Sequence, residues 1–141
     1  MKIFGKVSGN EIAYEKNIKI SAHCNRVPVL DGHMACISVS FEKRPTEDQI
    51  IGAWKKFSGE PQKLGLPLAP KQPIIYTDEP ARPQPMLDRD NDKGMAVTVG
   101  RLRKCNVLDY RFVCLSHNTI RGAAGGAVLT AELLKAKGYL K

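Results

Sequence analysis

Met95-Ala96-Val97-Thr98-Val99-Gly100-Arg101-Leu102-Arg103-Lys104-Cys105-Asn106-Val107-Leu108-Asp109-Tyr110-Arg111-Phe112-Val113-Cys114-Leu115-Ser116 holds two β-branched and aromatic runs around a polar break, and its reading decides the fold. Met95 to Arg103 and Val107 to Ser116 are strands, and Lys104-Cys105-Asn106 connects them, which predicts an antiparallel hairpin. Upstream, Ala35, Ile37, Val39 and Phe41 alternate with Met34, Cys36, Ser38 and Ser40, the period-two pattern of a half-buried strand. The second face of that strand is small and mildly polar, open either to solvent or to another protein surface. Ile74-Ile75-Tyr76 is a further short strand, and Ile18 to Arg26 reads as one more, leading into a turn; residues 1–17 are polar and mixed.

Helices flank these strands. Arg44-Pro45-Thr46 stops the strand from Met34, and Thr46 with Gln49 makes a capping-box start. Ile50, Trp54 and Phe57 then follow at helical spacing with Ile51 alongside, so Trp54 reads as core and Lys55-Lys56 as the wet side. Ser58-Gly59-Glu60-Pro61 ends this helix, and Gly65 to Pro73 is an irregular connection. Three prolines among residues 80–85 cannot pair inside a sheet, so the segment through Asp92 is a long loop, ordered or flexible. After Ser116-His117-Asn118-Thr119 an apolar helix runs to about Lys137-Gly138, and its early glycines, Gly122, Gly125 and Gly126, each cost up to about 1 kcal/mol relative to alanine. Small residues there allow close approach of another backbone or a ligand; from composition alone this is a tightly packed core helix.

The length of 141 residues fits one domain, 1–141, with a real core. With 43% apolar and 26% charged residues the composition is that of a globular protein rather than a disordered or membrane chain. No apolar run approaches a membrane span, and the Met1 to Lys6 start lacks the apolar centre of a signal peptide, so the expected location is cytoplasmic and no membrane partner is expected. Cys24, Cys36, Cys105 and Cys114 have no CxxC spacing, and Cys36 and Cys114 lie in strand-like runs, which favours reduced, buried thiols over bridges or metal ligands; no metal site is expected. The net charge of +8 raises nucleic-acid binding as a rival function. The cations are spread over different elements, however, with only Arg101-Leu102-Arg103-Lys104 clustered and no nucleic-acid motif beside it, so no nucleic-acid partner is expected.

One stretch carries candidate chemistry: Cys24-Asn25-Arg26-Val27-Pro28-Val29-Leu30-Asp31-Gly32-His33. Pro28 and Asp31-Gly32 favour a reversal, which brings a guanidinium suited to a carboxylate or phosphate towards an imidazole suited to acid or base work. From spacing alone, a hairpin with a surface Arg26 and an incidental His33 accounts for it as well.

Four segments together resemble one family: Cys24 to His33; Ala81-Arg82-Pro83-Gln84-Pro85-Met86-Leu87-Asp88-Arg89-Asp90; Gly94-Met95-Ala96-Val97-Thr98-Val99-Gly100-Arg101; and Ser116-His117-Asn118-Thr119-Ile120-Arg121-Gly122-Ala123-Ala124. They resemble aspartate-semialdehyde dehydrogenases of the archaeal and fungal branch, in order and at fitting spacing, from about Ile18 to Leu134. The resemblance implies an α+β fold, a mostly antiparallel mixed sheet with covering helices, like the carboxy-terminal domain of such dehydrogenases. It implies an NADP-dependent interconversion of aspartyl phosphate and aspartate semialdehyde through a cysteine thioester, on the route to lysine, threonine and methionine.

In that family the matching residues have roles: His33 is the acid/base histidine, Arg26 binds the substrate α-carboxylate, and Asn118 lies near the nicotinamide. The family's Gly-rich nucleotide loop has no counterpart here, and none of the four cysteines sits in the Asn-Cys-Ser/Thr context of the nucleophile; Cys24 reads as structural. The expectation is therefore a carboxy-terminal catalytic and dimerisation part, homodimeric, inactive alone and binding no NADP by itself. The helix over 119–137 is expected to pack on a nucleotide domain in the full enzyme, and to be mobile or redocked on another copy here. The alternative is a non-catalytic oligomerisation or interaction module.

Overall fold

A computed structural model describes residues 2–140; Met1 and Lys141, used above in reading the start and the basic surface, lie outside the described residues. Its centre is a four-stranded mixed sheet of β3 (His33–Val39), β4 (Ile74–Thr77), β5 (Val97–Lys104) and β6 (Tyr110–Ser116), in the spatial order β3-β6-β5-β4. The expected hairpin is there: β5 and β6 pair antiparallel, with Val99 opposite Cys114 and Thr98 opposite Leu115. Its turn lies later than the sequence suggested, because the Cys105 N–H reaches the Asp109 carbonyl at 3.1 Å and closes a longer loop. β3 pairs antiparallel with β6 and forms one edge of the sheet, while β4 pairs parallel with β5 at the other. A further antiparallel pair, β1 (Lys6–Ser8) and β2 (Glu11–Ala13), stands apart as a hairpin around Gly9-Asn10.

The strand expected over Ile18 to Arg26 is not formed. That stretch is irregular and exposed, with Ile18 45% and Ile20 59% accessible, because no neighbouring strand accepts its hydrogen bonds. The expectation that Cys36 is buried is likewise corrected: it is exposed, since β3 lies at the sheet edge and its burial pattern is open along most of its length. Cys114, on the inner strand β6, is half-buried.

Helix α1 (Glu47–Lys56) begins at the expected cap: the Gln49 N–H donates to the Thr46 hydroxyl at 3.2 Å, and the Gln49 side chain accepts from the Thr46 N–H at 2.8 Å. It presents Trp54 to one sheet face, stacked on Tyr76 at 5.9 Å between ring centres and edge-on to Phe112 at 5.0 Å. A short helix, α2 (Glu60–Lys63), follows. The opposite face is covered by the proline-bearing segment, which is ordered and carries α3 (Pro85–Asp88). Asp88 accepts from Arg82 through Nε at 2.8 Å and Nη2 at 2.6 Å, and Asn91 of the same segment donates to the buried Thr98 hydroxyl of β5 at 3.0 Å.

After β6 the chain makes one π-helical turn (Ile120–Ala124) and continues as α4 (Gly125–Ala136). A Cβ on Gly125 would lie 2.5 Å from the Met95 sulfur, so glycine here permits the helix start to seat on the core. The helix expected over 119–137 lies against its own domain in this structure. Leu129 forms a buried cluster with Leu66 and Met95, joined by Leu68, Ala69, Ile120 and Leu133. The Leu68 N–H donates to Glu132 at 3.0 Å, and Lys137 pairs with Glu60 at 2.7 Å. The connection after α2 supplies the apolar seat. Val128 and Leu134 remain accessible on the helix. No helix among the described residues is long and apolar enough to cross a membrane.

Candidate functional site

His33 opens β3, and its registered partner is Ser116, the last residue of β6. The strand end therefore meets the segment Ser116-His117-Asn118-Thr119, so residues from two distant parts of the sequence converge. Gly32, buried and at φ +107°, makes the turn immediately before His33; a Cβ there would lie 3.1 Å from the Leu115 side chain, in a conformation L residues rarely adopt. The Gly32 N–H donates to the Asn118 side-chain oxygen at 2.7 Å. Beside it, the Thr119 hydroxyl donates to Asp31 at 3.5 Å.

His117 anchors that segment from within. It is 4% exposed, its Nδ1 accepts from the Ile120 N–H at 3.3 Å and lies 3.2 Å from the Thr119 hydroxyl, and its Nε2 is 3.7 Å from Asp90. With Nδ1 accepting, Nε2 is the ring nitrogen left to donate, and it faces Asp90. The sequence marks Asp31 only as half of the Asp31-Gly32 turn pair and gives His117 no role; the signal for His117 is Ser-His-Asn-Thr ahead of a helix, a run rich in backbone-bonding side chains.

Of the three candidate residues, the structure brings His33 and Asn118 together through Gly32. His33 is exposed and Asn118 is half-buried. Arg26 lies on exposed irregular backbone, where among the described residues it makes no hydrogen bond or ion pair; the Val29 N–H to Val27 carbonyl contact at 2.9 Å is the local turn around Pro28. Its guanidinium is uncommitted, and no contact joins it to His33. With its oxygen spent on Gly32, Asn118 keeps an amide NH₂ that donates to no described residue, which fits the carboxamide of a nicotinamide.

The thiols fit a nucleophilic role poorly. Cys114 shares the sheet face of His33, one diagonal step away, but burial pushes its thiol pKa up, with Cys36 adding to the rise and the Ala35 N–H opposing it. Cys105 has its pKa lowered, chiefly by the Leu108 and Val107 N–H groups and then by the Ser38 hydroxyl and Arg111. It lies beyond the far end of β6, however, roughly 20 Å from His33 at about 3.4 Å per strand residue. Among the described residues no three His, Cys, Asp or Glu side chains converge as metal ligands.

Comparison with known proteins agrees with this arrangement. The semialdehyde dehydrogenase dimerisation-domain family matches residues 1–121. The aspartate-semialdehyde dehydrogenase of Schizosaccharomyces pombe is 50% identical over 143 aligned positions, which cover 99% of this chain and 40% of that protein. The Archaeoglobus fulgidus enzyme of the same name is 42% identical over 95% of this chain and 38% of its own length. A crystal structure of the Candida albicans aspartate-semialdehyde dehydrogenase with NADP superposes with a TM-score of 0.88 at 46% identity, over 99% of this chain and 40% of that one. The chain thus spans about 40% of the length of these relatives. With the hairpin, the edge strand and the His33 turn all in place, the chain belongs to the semialdehyde dehydrogenase dimerisation-domain family.

Proposed function

We propose that this chain is the catalytic and dimerisation part of an aspartate-semialdehyde dehydrogenase, a cytoplasmic homodimer that interconverts aspartyl phosphate and aspartate semialdehyde in the synthesis of lysine, threonine and methionine. The observation that carries the reading is the meeting of His33 and Asn118 at one end of the β3-β6 pair, in a chain half identical to a relative of that name. His33 accepts the proton of an attacking thiol and handles protons at the thiohemiacetal stage, Arg26 holds the substrate α-carboxylate, and Asn118 offers its amide NH₂ to the nicotinamide. NADP, when bound to the complete enzyme, supplies the hydride chemistry. The thiol comes from residues other than the four cysteines here, and α4 meets the nucleotide domain through Val128 and Leu134, which stay accessible on this chain.

A chimera tests the reading: this chain replaces its counterpart in the S. pombe enzyme. The expected result is turnover within about tenfold of the parent, lowered by roughly 10²- to 10⁴-fold in kcat by His33→Ala. Arg26→Ala is expected to act mainly on KM, because it removes a substrate clamp. The purified chain alone is expected to show no phosphate-dependent turnover with semialdehyde and NADP; turnover above background overturns that part. A second reading, an oligomerisation module without catalysis, draws on the raised Cys114 thiol and the distance of Cys105 from His33. A folded but inactive chimera would establish it instead.

A further inference from the structure

We infer that Asn118 is a positioning residue for His33, its side-chain oxygen fixing the Gly32 amide and so setting the turn from which the imidazole projects. This rests on the reading of His33 as the proton carrier. Three observations carry it. The Gly32 N–H to Asn118 contact is short, 2.7 Å, and joins residues 86 apart in sequence. Gly32 sits at φ +107°, a shape glycine reaches freely but does not hold by itself, so the Asn118 contact is what restrains it. The Asn118 segment is in turn fixed to the interior, through buried His117 with its Ile120 N–H and Asp90 contacts, and the Thr119 hydroxyl reaches Asp31 on the far side of Gly32.

His33 is exposed, and the backbone just before it sets the position from which its side chain leaves the strand. A proton carrier displaced by about 1 Å loses on the order of 10²-fold in rate, so the fixity of Gly32 is a functional quantity. Because the Asn118 oxygen faces the turn, its amide NH₂ is directed elsewhere, and one side chain serves the turn and a ligand at once.

The test uses the whole chain, labelled with ¹⁵N and ¹³C. In the unmodified protein a through-hydrogen-bond coupling between the Gly32 nitrogen and the Asn118 side-chain carbonyl carbon is expected, and its absence overturns the proposal. Asn118→Ala is expected to speed Gly32 amide exchange at least tenfold and to move the His33 ring signals, while the β3-β6 amides from Ala35 onward keep their protection. Asn118→Asp, which retains an acceptor oxygen, restores Gly32 protection and returns the His33 ring signals towards their unmodified positions. A merely structural Asn118 predicts the opposite: loss spread evenly along the ladder and no selective return of the His33 signals in the Asp variant. If Asn118→Ala does not fold, the coupling and the Asp variant decide. All signals are read without turnover, so a negative result here leaves the chimera experiment untouched, and an inactive chimera leaves this geometry untouched.

Discussion

Asp88 is 3% exposed, yet it is a carboxylate, and every oxygen it carries is spoken for. Arg82 grips it with two N–H donors, the Gln84 N–H adds a third at 2.7 Å, and the Asn91 amide stands at 3.5 Å. Burial alone pushes the Asp88 pKa up; the Arg82 hydrogen bonds, the Gln84 N–H and the Arg82 charge together overcome it and hold the pKa below the ordinary carboxylate value. A folded-state pKa below the unfolded one adds stability that is present above the ordinary carboxylate range and lost as pH falls through the folded value. Asp88→Asn is therefore expected to lower urea stability by about 2 kcal/mol near neutral pH, with the gap to the parent closing below about pH 4. An equal gap at both pH values would show that the charge is not what matters. The pairing itself was not legible in the sequence, because Arg82 and Asp88 are six apart in a loop, where no periodicity brings side chains together. The types at Arg26, His33 and Asn118 were legible; that Asn118 spends its oxygen on a backbone amide was not, since that depends on where a turn 86 residues earlier comes to rest.

The elements best read from sequence are those fixed by local rules. The cap at Thr46 and Gln49, the apolar stripe of α1 and the β5-β6 hairpin each follow from neighbours within a few residues. Trp54→Ala is expected to cost about 3 kcal/mol, from the loss of its packing on Tyr76 and Phe112, measured by urea denaturation. Thr46→Ala is expected to cost about 1 kcal/mol by the same measurement. Ile18 to Arg26 has the composition of a strand but no partner, and pairing is a property of two strands. The β5 bulge was equally hidden. Between Gly100 and Arg103 the register with β6 shifts, and Arg101 takes φ +58°, a conformation that costs an L side chain roughly 1–2 kcal/mol. Arg101→Gly is expected to raise stability by about 1 kcal/mol, and an unchanged or lower stability would show that the arginine side chain compensates for its backbone. Beyond the bulge Arg103 stands opposite Arg111, two cations on one face whose juxtaposition the charge count of the whole chain does not show.

At the scale of the molecule, light scattering is expected to give twice the 15.6 kDa of one chain, as the dimerisation family implies; a monomer at every concentration tested would separate this chain's behaviour from that of its family. The α+β class came from the family resemblance and the sheet members from local patterns, whereas the order β3-β6-β5-β4 places the earliest of these strands beside the last, which no window of sequence displays. That order bears on how the protein is made. During synthesis β3 leaves the ribosome about 70 residues before β6, the one strand it bonds to, and at some 5–20 residues per second it waits several seconds with both edges open. The β5-β6 hairpin closes within microseconds of its appearance and supplies the template only then. The vulnerable species in the life of this chain is thus the nascent one, carrying Met34, Ile37 and Val39 on an unpaired strand, and its yield in cells is governed by what shields that strand until Ser116 has emerged.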